Sequence, residues 1–120
     1  VRMIERLVMA LLLTCLFVVP AAASKPDRQN EVAYLLSYVE QSGCSFIRND
    51  KVYDSVQARE HISKKYDYVK KRINTAEQFI TYAASKSSIT GKSYKVTCGD
   101  TTRPSSEWLE EALVNYRKAQ

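Results

Sequence analysis

"EVAYLLSYVEQSGCSFIRNDKVYDSVQ", residues 31–57, changes its hydrophobic period in mid-course, and that change decides the fold class. In the first half Val32, Leu35, Leu36 and Val39 recur at i, i+3, i+4 and i+7, the apolar stripe of one helix, and Gly43 ends it. The second half is short, aromatic and β-branched. It is interrupted by Asn49-Asp50, two residues that tolerate the left-handed backbone of a tight hairpin turn. A helix is therefore expected before strands at 44–48 and 51–53. Asp54 then supplies a cap oxygen for the next helix, with Gln57 in the capping-box position.

Downstream, "SVQAREHISKKYDYVKKRI" (55–73) directs Ala58, Ile62, Tyr66, Val69 and Ile73 inward and pairs Glu60 with Lys64 at i, i+4 on the outside. Asn74 with Glu77 repeats the cap pattern and opens a further run in which Ala76, Phe79, Ile80 and Ala83 share a face. The residues leave open whether a break separates these two helices. "SYKVTC" alternates Tyr94, Val96 and Cys98 against Lys95 and Thr97, as a half-buried strand does. A last helix follows Pro104, with Glu107, Glu110 and Glu111 near its start and Arg117 and Lys118 near its end, as the helix dipole favours. Leu109, Ala112, Leu113 and Tyr116 form its inward face, with Trp108 on the flank. The expected architecture is a small α+β domain over 31–120, in the order α-β-β-α-α-β-α. Its three antiparallel strands lie in the order 2-1-3 against the helices.

Ahead of this domain, residues 1–23 have the organisation of an export signal. Arg2 and Arg6 precede an apolar run from Leu7 to Val19, and Ala21 and Ala23 fit a cleavage site before Ser24. The run falls short of the roughly 20 apolar residues that span a bilayer, so no anchor is expected after cleavage. Cys15 lacks a lipoprotein context, because Thr14 precedes it and apolar residues continue to Val19. Cleavage leaves 97 residues, a polar lead at 24–30 and a net charge reduced from +5 to +4. The remaining cysteines, Cys44 and Cys98, are expected to form a disulfide in an oxidising compartment.

The chemistry-bearing patterns are few. "SKSSITGKS" (85–93) ends like a phosphate-binding loop, yet Lys86 stands where that loop requires glycine, and a helix precedes it where a strand should. It reads as a turn, and no nucleotide is expected. His61 is the single histidine, with Lys65 rather than a second ligand at i+4, so no metal is implied. No G-x-S-x-G or Ser-x-x-Lys supplies a nucleophile. Lys64, Lys65, Lys70, Lys71 and Arg72, with Lys86, Lys92 and Lys95, could make a patch for anionic glycans or lipid headgroups, although such runs are commonly solvated faces. The modest charge disfavours nucleic acid. Tyr34 and Tyr38, at i, i+4, either border the core or form a contact surface.

"RINTAEQFITYAASKSSITGKSYKV", with "FIRND" and the Asp54, Ala58, His61 spacing upstream, resembles the YfeK-like family of small exported proteins from Gram-negative bacteria, a domain of unknown function. The likeness departs at Asp50, where glycine would be expected in the turn. It implies a periplasmic location and carries no catalytic residues or cofactor. The reading is a non-enzymatic periplasmic module contacting an envelope component, either a protein or an anionic glycan or lipid. Its candidate contacts are His61, Lys64, Lys71, Arg72, Lys92, Tyr94, Tyr34 and Tyr38. The alternatives are a small hydrolase or lyase using His61 and a self-associating structural module.

Overall fold

The computed structural model describes residues 25–120; residues 1–23, read above as an export signal and including Cys15, lie outside them. Helix α1 (Lys25–Gln41) runs upstream of its apolar stripe, through residues read above as a polar lead. Gly43, at φ +65°, turns the chain out of it. Strands β1 (Ser45–Arg48) and β2 (Lys51–Tyr53) form the expected hairpin. Both turn residues are left-handed, Asn49 at φ 50° and Asp50 at φ 65°, as a type I′ turn requires. Asp50 meets this demand without being glycine, and its carboxylate accepts from Lys92 at 2.8 Å.

Helix α2 (Ser55–Val69) starts on a complete capping box: Asp54 accepts from the Gln57 amide at 2.8 Å, and Gln57 accepts from the Asp54 amide at 3.0 Å. It ends earlier than the apolar spacing implied. Lys70–Arg72 tighten into a 3-10 turn, and Ile73, still buried, is extended at φ −100°. The two central helices are thus separate. Helix α3 (Ala76–Ala83) is capped by Thr75, which accepts from the Gln78 amide at 3.1 Å, and not by Asn74. Asn74 contributes its own N–H, donated to the Gln78 side chain at 2.7 Å. Among the ion pairs of the described residues, none joins Glu60 to Lys64.

The sheet has four strands rather than three, in the order β2-β1-β3-β4. Strand β3 (Lys95–Cys98) pairs antiparallel with β1, as expected. The additional strand β4 (Thr101–Pro104) pairs with β3 across a turn at Gly99, φ +60°. It escaped a pattern reading because Thr101 and Thr102 are exposed and Pro104 ends it, features of an edge strand. The Ser45–Thr97 pairing places Cys44 opposite Cys98, and the two are disulfide-bonded with Cα atoms 4.7 Å apart.

Helix α4 (Ser105–Lys118) completes the order, and the helices cover the sheet face that carries Phe46 and Val96. At the centre of the core, Phe79, Ile80 and Leu35 are fully buried. Trp108 lies in the core rather than on its flank, edge-on to Phe46 at 5.5 Å. Arg117 ties three helices together. It donates two hydrogen bonds to the buried Glu31 of α1, at 2.6 and 3.0 Å, and two to Glu77 of α3, at 2.8 and 3.0 Å. Its helix-dipole role is therefore secondary.

Candidate functional site

The period-2 geometry of β1 places Arg48 on the same face as Phe46, the face that packs against the helices. There Arg48 meets α2 about two turns after its capped start. One guanidinium nitrogen lies 3.1 Å from each ring nitrogen of His61, and the other donates to the Tyr53 hydroxyl at 3.1 Å. Tyr53, opposite Phe46 in the hairpin, also lies under the guanidinium, 5.0 Å from ring centre to carbon. Lys65 follows His61 by one helical turn and donates to the Tyr94 hydroxyl at 3.2 Å and to the Lys86 carbonyl. Tyr94 enters from the residue before β3 and lies 3.2 Å from His61 Nε2. The sheet, α2 and the loop after α3 thus converge on one cluster: Arg48, Tyr53, His61, Lys65 and Tyr94.

The cluster has no carboxylate. Arg48 and Lys65 form no ion pair among the described residues, and neither wall of the site includes Asp or Glu. Burial, and then the positive charges of Arg48, Lys65 and Lys64, push the His61 pKa below its ordinary value. A neutral imidazole has one donor and one acceptor nitrogen, so Arg48 donates to only one of the two ring nitrogens. Lys65 is also shifted down, first by burial and then by Arg48 and Lys86. Burial raises the Tyr94 phenol, with Arg48 opposing. Guanidinium, ammonium and phenol groups bring many donors, and the acceptors they find are one neutral ring nitrogen, hydroxyls and one carbonyl. An anion would supply the missing acceptors and offset two charges.

Two spaces flank this cluster. On the core side is a cavity of about 30 Å³ lined by Phe46, Ala58, Ile62 and Ser105, large enough for a water molecule. On the solvent side is an open groove of about 290 Å³, floored by Arg48, His61, Lys65 and Tyr94. Its lips are Tyr68 of α2 and Ile89 of the 85–93 loop, 87% and 93% exposed. That loop is built around the buried Ser87 hydroxyl. It accepts from the amides of Ile89 and Thr90, at 3.2 and 3.3 Å, and from the Asn49 side chain at 3.2 Å. Thr90 in turn donates to Asn49 at 2.6 Å, so the loop is fastened to the β1–β2 turn.

A model of the family of unknown function DUF5329 matches residues 26–117. The chain belongs to that family. A relative described as the uncharacterized protein YfeK of Salmonella typhimurium is 39% identical over 87 residues, covering 72% of this chain and 71% of the relative. No solved structure matches.

In this DUF5329 protein the expected contact residues separate into distinct places. His61 and Tyr94 come together in the cluster, and Lys64 stands beside the groove. Lys92 is drawn to Asp50 at the hairpin turn. Lys71 and Arg72 occupy the exposed 3-10 turn and are not part of the groove; Arg72 borders a separate hollow with Val69 and Tyr82. Tyr34 and Tyr38 belong to an aromatic row on α1 and α4. Tyr34 stacks on Tyr116 at 4.3 Å, Tyr38 lies 4.7 Å from Trp108, and burial raises the Tyr38 phenol. Arg48 and Tyr53 were missed by pattern reading, although β1 alternation carried a signal. A residue two after an inward Phe46 faces inward too, and an inward arginine needs partners. Among the described residues there is no group of three or more His, Cys, Asp or Glu arranged to hold a metal, and no helix is long and apolar enough to cross a membrane.

Proposed function

We propose that this protein is a non-enzymatic binding module of the bacterial envelope, exported to the periplasm, that recognises an anionic group at the Arg48, His61, Lys65 and Tyr94 cluster. The observation that carries this reading is the pair of cations, Arg48 and Lys65, held in a donor-rich cluster without a carboxylate partner. Holding such a cluster together without an anion runs against charge repulsion, so a bound anion stabilises it. The basic and apolar segments of residues 1–23 support the export part of the reading.

Acid–base catalysis is the rival, since His61 is held towards its neutral form beside a phenol. No carboxylate orients the imidazole. Of the serines lining the two spaces beside it, Ser105 donates to the Ala84 carbonyl at 2.6 Å, Ser87 accepts from three donors, and neither these two nor Ser88 is hydrogen-bonded to His61 among the described residues. The test is titration of the protein with inorganic phosphate, followed by NMR at the single histidine. A saturable downfield shift of the His61 ring protons, lost in Arg48→Gln, is expected. No shift at millimolar phosphate, or a shift unchanged in that variant, refutes the anion site. Osmotic-shock fractionation tests the location, and retention in the cytoplasm refutes it.

A further inference from the structure

The lips of the groove are apolar while its floor is cationic, and the two together specify more than a small free anion needs. Ile89 stands at the loop apex almost wholly exposed, and Tyr68 faces it from α2. The exposure of Ile89 does not follow from a slack loop. Its amide is held by Ser87, the next residue is fastened to Asn49, and Gly91, at φ +74°, returns its N–H to the Ser87 carbonyl at 3.0 Å. Lys64 and Lys65 line the groove with these two side chains, Lys86 adds positive charge close to Lys65, and Lys92 is engaged by Asp50. Asp67 of α2, the residue before Tyr68, pairs with Lys70.

Resting on the anion-binding reading above, we propose that the groove docks on a membrane surface. It receives the phosphate of an anionic phospholipid at Arg48, His61, Lys65 and Tyr94 while Ile89 and Tyr68 enter the apolar layer on either side. Charge complementarity selects anionic over zwitterionic lipid, and apolar side chains set beside basic ones are the composition of an interfacial contact. A soluble phosphate would use the floor and leave the lips idle. An acidic peptide would use the charges and has no call on a fixed, exposed isoleucine.

The experiment is co-sedimentation of the oxidised chain beginning at Ser24, which contains the whole described core, with vesicles of phosphatidylcholine or of phosphatidylcholine mixed with phosphatidylglycerol. Binding to the mixed vesicles alone is expected. Ile89→Ser, at an exposed position that leaves folding intact, should weaken partitioning about tenfold. Arg48→Gln should weaken it further. Binding that ignores Ile89→Ser overturns the proposal in favour of diffuse charge attraction. Absence of vesicle binding with a preserved phosphate shift at His61 overturns the lipid assignment and leaves the anion site standing. Loss of both removes both readings. Displacement of the phosphate shift by polyglutamate, without vesicle binding, points to an acidic protein partner and likewise overturns the lipid assignment.

Discussion

Replacing both cysteines, Cys44→Ala with Cys98→Ala, removes a bridge whose sequence separation is 54 residues. The two positions are directly opposed in the β1–β3 pairing, with Cα atoms 4.7 Å apart. Alanines therefore fit the same backbone, and the main effect falls on the unfolded chain. Closing a loop of this length restricts that chain by about 4 kcal/mol in the entropy model. For a domain of under 100 residues this is comparable to the whole net stability, and it corresponds to a fall in Tm of about 15 to 30 °C. The assay is urea unfolding followed by the fluorescence of Trp108, the single tryptophan, which lies in the core against Phe46 and Tyr38. The double variant should unfold at much lower urea with a steeper dependence, since its unfolded chain exposes more surface. A stability difference below about 1 kcal/mol would refute the argument, because it would mean that the unfolded chain is already confined. Thiol labelling of the denatured, oxidised chain from Ser24 gives an independent check: no cysteine should react.

Other changes follow from single contacts. Arg117→Ala should destabilise by about 1–2 kcal/mol, mostly through the buried Glu31, so that Glu31→Gln is more damaging than Glu77→Gln in the same melts. The hydrogen bond from Arg117 holds the Glu77 carboxyl below its usual pKa. Its contribution is therefore present above the unfolded carboxylate value and is lost as pH falls through the lower folded one, an acid-limb effect that Arg117→Ala should diminish. His61 has the corresponding sign for a base whose folded pKa is depressed. Below about pH 6.5 the unfolded chain takes up a proton that the folded site resists, so stability should decline on acidification. NMR should place the His61 midpoint below 6.5, and His61→Gln should remove that part of the slope; a midpoint above 6.5 contradicts the cationic environment. Thr75→Ala should lower stability by about 1 kcal/mol, whereas Asn74→Ala, whose side chain is not the cap, should have little effect on the urea midpoint.

The parts of the fold that could be read from sequence are those in which one local rule sufficed. The α1 stripe, the Asn49-Asp50 turn and the Asp54–Gln57 box each depend on residues within one or two turns of chain, and each appears in the structure. Strand β4 failed that test because its residues satisfy the sheet with backbone groups and leave Thr101 and Thr102 in solvent. The α2 end was misplaced because Ile73 is buried at a helical spacing but from an extended backbone. Helix periodicity alone puts Trp108 on a flank, because it does not reveal that Phe46 faces it from the sheet surface that α4 covers. His61 and Tyr94 were visible as reactive residue types. Their meeting was not, because it requires the β1–β3 register, and the same register turns Arg48 towards them.

The central strand pair has a kinetic consequence. β1 and β3 are neighbours in the sheet, yet α2, the 3-10 turn, α3 and the 85–93 loop all lie between them in the chain. Helices and the β1–β2 hairpin can form from nearby residues, whereas this pairing must wait for a long loop to close. Arg48, His61 and Lys65 precede that closure, and Tyr94 arrives only with it. Loop closure is therefore expected to complete the cluster only after the local helices and the hairpin have formed. A ligand held there would bind only chains that have finished folding, and the Cys44–Cys98 bond sits across the junction that completes them.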